Sequence, residues 1–220
     1  MLLTLSLTIL PSILIASFVI FSDKFREPVL PIIYAVLLGF LIVVPAGLLN
    51  NYFIFSNENF YNLTFIAGFT EEPLKFIMMY IFLRKRHEFD EPMDALVYTT
   101  LLSLGFATLE NFEYVYFFNE EFSSLSIAFI RALSAIPLHA CCGVVMGYYY
   151  GLYIFQGSVT HLFKSISLPI IIHSSYNYLS NFNDLILFIY VPLLILYATY
   201  LLDKMGDLQK LKDIEKEIKF

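Results

Sequence analysis

The sequence predicts an all-α, polytopic membrane protein, a bundle of about seven transmembrane helices around a polar chamber at mid-membrane. Of its 220 residues, 59% are hydrophobic and 15% are charged, whereas soluble domains contain about 45–50% and about 25%. The apolar residues form seven long runs, and several of these runs contain ionisable side chains. Composition and run length indicate a membrane protein, and the embedded charges indicate a polar interior.

Each run is long enough to cross a bilayer, because about 20 helical residues span a hydrocarbon core of about 30 Å. The first run, residues 2–21, lacks the basic region of a secretory signal, so we expect a retained helix that Pro11 kinks. The six later runs cover residues 28–49, 61–83, 93–118, 124–155, 165–182 and 184–202. Short polar stretches separate the runs, namely SDKFRE, NYFIFSNEN, RKRHEFDE, NEEF, QGSVTHLFK and NFND.

The tail after the seventh run, DKMGDLQKLKDIEKEIKF, is charged and is typical of a helix at the membrane surface. We therefore expect one transmembrane domain, residues 1–202, and a charged cytoplasmic tail, residues 203–220.

The distribution of lysine and arginine predicts the orientation. All but two of the thirteen lie in the tail or in the loops after the first, third and fifth runs, and the other loops contain none. Because positively charged loops stay in the cytoplasm, we expect the N-terminus outside and the C-terminus inside. The net charge of −6 and the scattered basic residues exclude a nucleic-acid partner, so the expected surroundings are the lipid bilayer.

Ionisable side chains inside the runs are costly, at roughly 2.5–3.5 kcal/mol for each charge at the centre of a membrane helix. They nevertheless cluster near the middle of several runs. The set comprises Glu71, Glu72 and Lys75 in the third run, Glu110 in the fourth, Arg131 and His139 in the fifth, and His173 with Asn177 in the sixth. Because these groups lie at similar depth, we expect them to share one wet chamber.

Spacing along the helices supports this interpretation. Lys75 follows Glu71 by four residues and Glu72 by three, so it can neutralise at least one of the two carboxylates. A small-xxx-small stripe in the fifth run permits close contact between helices and is expected to be structural, like Lys75; it comprises Gly143, Gly147 and Gly151.

Each residue of this set, taken alone, can be explained without a catalytic role. One intramembrane histidine or asparagine is often a packing residue, and we expect Arg131 to be structural.

Together, the acids and imidazoles fit two hydrolytic routes. In the first, Glu71 or Glu72 activates water, Glu110 orients a partner, and the carbonyl and oxyanion are bound by His139, His173 and Asn177.

In the second route, Zn²⁺ is bound by Glu110, His139 and His173, which leaves a position open for water. The sequence contains no H-E-x-x-H pair, the usual helical signature of such a site. No metal is needed if the glutamate acts alone.

Two classes of protein that do not cut peptide bonds also fit the residues: a non-catalytic membrane scaffold and an ion-coupled transporter. The chain, however, shows no internal repeat of the kind that transporters use.

Four motifs in this order resemble the PrsW family of intramembrane proteases: EEPLK at 71–75, FATLEN at 106–111, RALSAIPLHA at 131–140 and HSSYN at 173–177. The resemblance covers about residues 30–180. That family is similar to a wider group of CAAX-prenyl endopeptidases and bacteriocin-processing membrane proteases. The resemblance implies an endopeptidase in a prokaryotic cell membrane that cuts a membrane-associated protein, such as a single-pass anti-sigma factor, with or without a metal.

The resemblance also implies residue roles. Glu71 and Glu72 match the family's paired glutamates, and Glu110 matches the glutamate of its F-x-x-x-E motif. His139 and His173 match its two histidines. The asparagine of H-x-x-x-N in the prenyl-endopeptidase branch corresponds to Asn177. The chain departs from the wider group at Glu110, where a histidine is usual, and at Lys75, where an arginine is frequent.

Overall fold

The computed structural model describes residues 1–117, 123–182 and 184–218, with side chains described except at 184 and 211–218. These residues form eight α-helices and no strand. In chain order they are α1 (Leu2–Ser22), α2 (Val29–Asn50), α3 (Ile66–Leu83), α4 (Pro92–Tyr116), α5 (Ser124–Leu133), α6 (Ala135–Gln156), α7 (Val159–Ser180) and α8 (Asp184–Ile218). A π-helical turn, Asn51–Phe55, and a 3-10 turn, Phe60–Leu63, connect α2 to α3.

The all-α membrane fold is confirmed. Within the described ranges, five helical stretches are long and apolar enough to cross a membrane: Leu2–Ser22, Val29–Phe55, Pro92–Tyr116, Ser124–Gln156 and Leu185–Lys210. The helices α3 and α7 are not among these five stretches; α3 contains Glu71, Glu72 and Lys75, and α7 contains His173 and Asn177. Large apolar side chains on α1, α2 and α8 are exposed, as expected for surfaces that face lipid.

The fifth predicted run, residues 124–155, matches the single apolar stretch Ser124–Gln156, but a break at Ser134, whose φ is −125° and ψ −67°, divides that stretch into α5 and α6. A proline ring clashes with the carbonyl four residues earlier in a helix, and Pro137 therefore prevents a regular continuation from Leu133. Ser134 Oγ donates to the carbonyl of Ile130 at 2.8 Å, which satisfies one of the carbonyl groups freed by the break.

Other boundaries also differ. The sixth run was expected from residue 165, but α7 begins at Val159. The tail is continuous with α8 rather than a separate surface helix, and Met205 and Gln209 are buried against the bundle. The predicted domain boundary at residue 203 is therefore not marked by a break in the helix. The NEEF stretch and the end of the fourth run lie outside the described residues, as does one residue of NFND.

The helices α4 and α6 form the centre of the bundle, and the glycine stripe of α6 lies where they meet. A Cβ atom on Gly147 would be 2.5 Å from Ala95 O and Leu96 Cα. Gly143 and Gly151 have similarly close backbone neighbours on α4. The stripe thus fixes the rotation and depth of α6 relative to α4, which determines where its histidine lies.

Candidate active site

Three helices bring five of the predicted polar residues together. The side chains of Glu71, Glu72 and Lys75 project from α3, and His139 and His173 project from α6 and α7. All five residues are at most 3% exposed. The structure therefore places them in one buried cluster.

The centre of the cluster is the Lys75 ammonium. Its Nζ atom donates to Glu72 Oε1 at 2.7 Å and to His139 Nδ1 at 2.9 Å, and it lies 3.7 Å from Glu71 Oε2. It also lies 4.1 Å from the centre of the Phe106 ring, a cation–π contact. One buried cation thus compensates two adjacent buried carboxylates.

The neighbours of His139 determine which of its nitrogens carries the hydrogen. An ammonium group can only donate, so His139 Nδ1 accepts from Lys75 and Nε2 carries the hydrogen. That Nε2–H donates to Glu110 Oε2 at 3.2 Å. Glu110 accepts from Arg131 Nη2 at 2.6 Å, and Arg131 Nε donates to Asn111 Oδ1 at 2.9 Å. A carboxylate behind the imidazole holds its orientation, as is usual for catalytic and metal-bound histidines.

The two paired glutamates have different surroundings. Glu72 Oε1 accepts from both Lys75 and His173 Nδ1, the latter at 2.8 Å. Glu71 Oε1 accepts from Asn50 Nδ2 at 2.9 Å. Among the described residues, the Oε2 atoms of Glu71 and Glu72 are buried without a hydrogen-bond partner. Buried acceptors normally have one, so these two atoms are available for a water, a substrate or a metal.

A cavity of about 230 Å³ opens onto the cluster. Its wall includes Glu71 but not Glu72, and it also contains Glu110, Arg131, His139, His173, Tyr176 and Asn177. Asn177 therefore lines the same cavity as the two imidazoles. A larger, mainly apolar cavity of about 700 Å³ lies against α2 and α4 and also reaches Glu71 and Glu110.

Comparison with known proteins gives this arrangement a family. The model of the PrsW family of intramembrane metalloproteases matches residues 27–202. The chain belongs to this family. Proteins named protease PrsW are 33% identical in Oceanobacillus iheyensis, over 94% of this chain and 98% of the relative, and 33% identical in Bacillus subtilis, over 80% and 81%. The relative of the same name in Clostridioides difficile is 34% identical, over 79% of this chain and 77% of its own. No solved structure matches the chain.

Membership of the PrsW family makes the chain a membrane-embedded protease, as the motifs predicted. It decides against the scaffold and transporter alternatives. The family description as metalloproteases also gives a reason to test whether the cluster fits a metal ion.

The donor set fits a divalent metal. One ligand atom each of Glu71, Glu72, His139 and His173 lies within 4.8 Å of the others. Two imidazole nitrogens and carboxylate oxygens are typical zinc ligands, and the two unpartnered Oε2 atoms offer free acceptors. Lys75 donates to Glu72 and His139 and would have to release both if they were to hold an ion. Glu110, which we predicted as a ligand, lies outside this group, behind His139.

Two residues around the site were not among the candidate catalytic residues. We expected Arg131 to have a structural role, and its ion pair with Glu110 fits that role, although Arg131 also lines the cavity. Asn50 lies just beyond the end of the second predicted run, 28–49, and it donates to Glu71. The signal for Arg131 was present, because it is one of only two basic residues inside a run. Nothing in the sequence near Asn50 indicates which helix it contacts.

Proposed function

We propose that this PrsW-family protease hydrolyses a peptide bond of a single-pass membrane protein, such as an anti-sigma-factor-like protein, with Glu71 as the base that activates water. The observation that carries the proposal is the asymmetry of the glutamate pair. Each glutamate has one oxygen without a partner, but Glu71 lines the cavity and accepts only from the neutral Asn50 amide among the described groups, while Glu72 does not line it and accepts from Lys75 and His173. A base must reach the water whose proton it removes, and Glu71 meets that requirement.

The remaining residues position the imidazoles and stabilise the negative charge that develops on the carbonyl oxygen. Glu72 fixes His173 and Lys75 by charge-assisted hydrogen bonds. Asn177 and His173 are four residues apart on α7 and line the same cavity. The Asn177 amide can donate to the carbonyl oxygen as it becomes negative, and His173, whose Nδ1–H donates to Glu72, can donate through Nε2 when the ring is protonated. Glu110 acts as a positioning residue, because it holds the Nε2–H of His139.

A metal, if bound, would be held by Glu72, His139 and His173, a two-histidine, one-glutamate set known from zinc hydrolases. Such an ion supplies Lewis-acid polarisation of the carbonyl and acidifies a bound water. Glu110 orients His139 so that its Nδ1 lone pair faces the cluster. Glu71 remains the group that faces the cavity, so its proposed role as base is the same with and without the ion.

The larger cavity supports entry of the substrate from the bilayer. It lies against α2 and α4, where Val44 and Leu48 are exposed towards the expected lipid, and it reaches Glu71. Its volume of about 700 Å³ falls in the range of ligand pockets, about 300–1,000 Å³. An unwound segment of a membrane protein could therefore reach the base without passing through water.

We further propose that the protein lies in a prokaryotic cell membrane with its N-terminus outside and its C-terminus in the cytoplasm. The distribution of lysine and arginine supports this orientation. The bacterial sources of the relatives support the compartment.

The test is co-expression with a single-pass membrane protein tagged at both ends, followed by immunoblotting of both tags. Wild-type protein should release two fragments, and Glu71→Gln should release none while keeping its normal melting temperature. Glu58→Gln, a matched change of an exposed acid, should cut normally. Cleavage by Glu71→Gln would show that another group is the base.

A second measurement addresses the metal. Zinc is quantified in purified wild-type protein and in His173→Ala, and cleavage is measured before and after chelation. Loss of both zinc and cleavage on chelation, with restoration by added Zn²⁺, supports the metal set. Full activity after complete removal of metal supports glutamate chemistry alone.

A further inference from the structure

We call the buried group of Glu71, Glu72, Lys75, His139 and His173 the catalytic cluster. A second group of buried acids lies at the end of the bundle away from it. Asp23 follows α1, Glu91 is the N-cap of α4, and Asp94 is the third residue of that helix. One carboxylate oxygen of each lies within 4.8 Å of the others, and these residues are 1–3% exposed. Half-buried Glu27 reaches hydrogen-bonding distance of Asp94. We call these four residues the acid cluster.

Hydrogen bonds satisfy only part of the acid cluster. Asp94 Oδ2 accepts from the backbone N–H groups of Asp90 and Glu91 at 2.9 and 2.8 Å. Asp23 Oδ1 accepts from Phe25 N at 2.9 Å and from Gln209 Nε2 at 2.8 Å. In the described part of the chain, Asp23 Oδ2 and Asp94 Oδ1 are buried without any hydrogen-bond partner.

The charge of the cluster is also uncompensated at these two residues. Neither Asp23 nor Asp94 forms an ion pair with a basic side chain among the residues the structure describes. Burial, with Asp23 and Asp90 nearby, raises the pKa of Glu27 above its ordinary value. Tyr98 donates to Glu27, and Gln209 donates to Asp23 and Glu91, but both donors are neutral. Buried carboxylates need a cation or a proton.

We propose that the acid cluster binds a hard divalent cation, Mg²⁺ or Ca²⁺. The side-chain donors are carboxylate oxygens, which these ions prefer, and the cluster lacks the imidazoles that make the catalytic site suitable for zinc. The two unpartnered oxygens of Asp23 and Asp94 are the free ligand atoms. This site is separate from the catalytic cluster and does not depend on the proposed mechanism.

The position of the site gives it a structural consequence. Asp23 belongs to the connection between α1 and α2, Glu91 and Asp94 begin α4, and Gln209 lies far along α8. Gln209 bridges Asp23 and Glu91 through its amide. A bound cation would therefore join the α1–α2 connection to the start of α4 at the expected cytoplasmic end of the bundle, and α8 is tied to both through the hydrogen bonds of Gln209.

The test is thermal unfolding of the full-length protein in detergent after treatment with EDTA. A thiol-reactive dye reports unfolding, because Cys141 and Cys142 are free and buried. Addition of Mg²⁺ or Ca²⁺ at about 100 times the dissociation constant should raise the melting temperature by about 5–10 °C. The cation that gives the larger rise identifies the preferred ion, and calorimetric titration with the same salts should show one site.

Asp23→Asn should lose this rise, and in EDTA it should melt above wild type because one uncompensated charge is gone. Asp207→Asn, which changes an exposed acid of α8 paired with Lys210, should keep the rise. Glu71→Gln should also keep it, which separates the ion from the catalytic cluster. The proposal is overturned if neither salt stabilises the wild type, if Asp23→Asn responds equally, or if only acidification stabilises the protein, since shared protons would then hold the cluster.

Discussion

Replacement of Lys75 by methionine tests whether the catalytic cluster depends on one internal cation. The ammonium is fully buried, lies 2.7 Å from Glu72 Oε1 and 3.7 Å from Glu71 Oε2, and contacts the Phe106 ring. Methionine has similar length and no charge, so Lys75→Met leaves two buried carboxylates without their cation. Breaking a buried ion pair in this way costs about 3–5 kcal/mol, which corresponds to a melting temperature lower by roughly 6–20 °C.

The chain contains a matched control. Lys210 and Asp207 have the same spacing of three residues and a similar distance, 2.8 Å, but their side chains are about 70% exposed. Because solvent screens such a pair, Lys210→Met should leave the melting temperature unchanged. Both variants are measured in EDTA with the thiol-reactive dye.

A double variant shows whether the effect is electrostatic. Adding Glu72→Gln to Lys75→Met removes one excess charge, so the double variant should be more stable than the sum of the two single effects predicts, by about 0.5–3 kcal/mol. A melting temperature for Lys75→Met within about 1 °C of wild type would refute the reasoning. Strictly additive effects would show that the loss comes from packing rather than charge.

Two further predictions concern Glu110, which orients His139, and Gly147, which packs against α4. Glu110→Gln should lower kcat or metal affinity by about 10–100-fold with little change in KM, because it weakens the group that orients His139; Glu110→Asp should recover part of the loss, and an unchanged kcat would contradict the positioning role. Gly147→Ala should destabilise the protein by about 1–3 kcal/mol, since its Cβ would meet backbone atoms of α4 at 2.5 Å. Gly47→Ala, where a Cβ meets nothing within 4 Å, should be neutral or slightly stabilising in the same melting experiment.

Much of the fold could be predicted from local patterns of apolar and polar residues in the sequence. The helices α1 and α2 begin and end close to the predicted runs, α3 ends where its run was predicted to end, and α4 begins close to its predicted start, because apolar length and flanking polar residues are local properties. The start of α3, at Ile66 rather than residue 61, was not predicted. The break between α5 and α6 could have been expected from Pro137, but a run of apolar residues hides such a break. The packing of Gln209 against Asp23 was not predictable, since the two residues are far apart in the chain.

The sequence by itself determined the chemistry available to this protein. It placed Glu71, Glu72, His139 and His173 inside apolar runs and spaced the glycines of α6 for close contact. Such placement and spacing are properties of the chain alone.

Only the tertiary structure decided which of these groups contact one another. In the folded chain Glu71 lines the cavity, and Glu72 accepts hydrogen bonds from Lys75 and His173. Glu110 lies between Arg131 and His139 and accepts from both. Those pairings depend on the rotation and depth of each helix, and contacts between distant segments, such as the glycine stripe against α4, fix both.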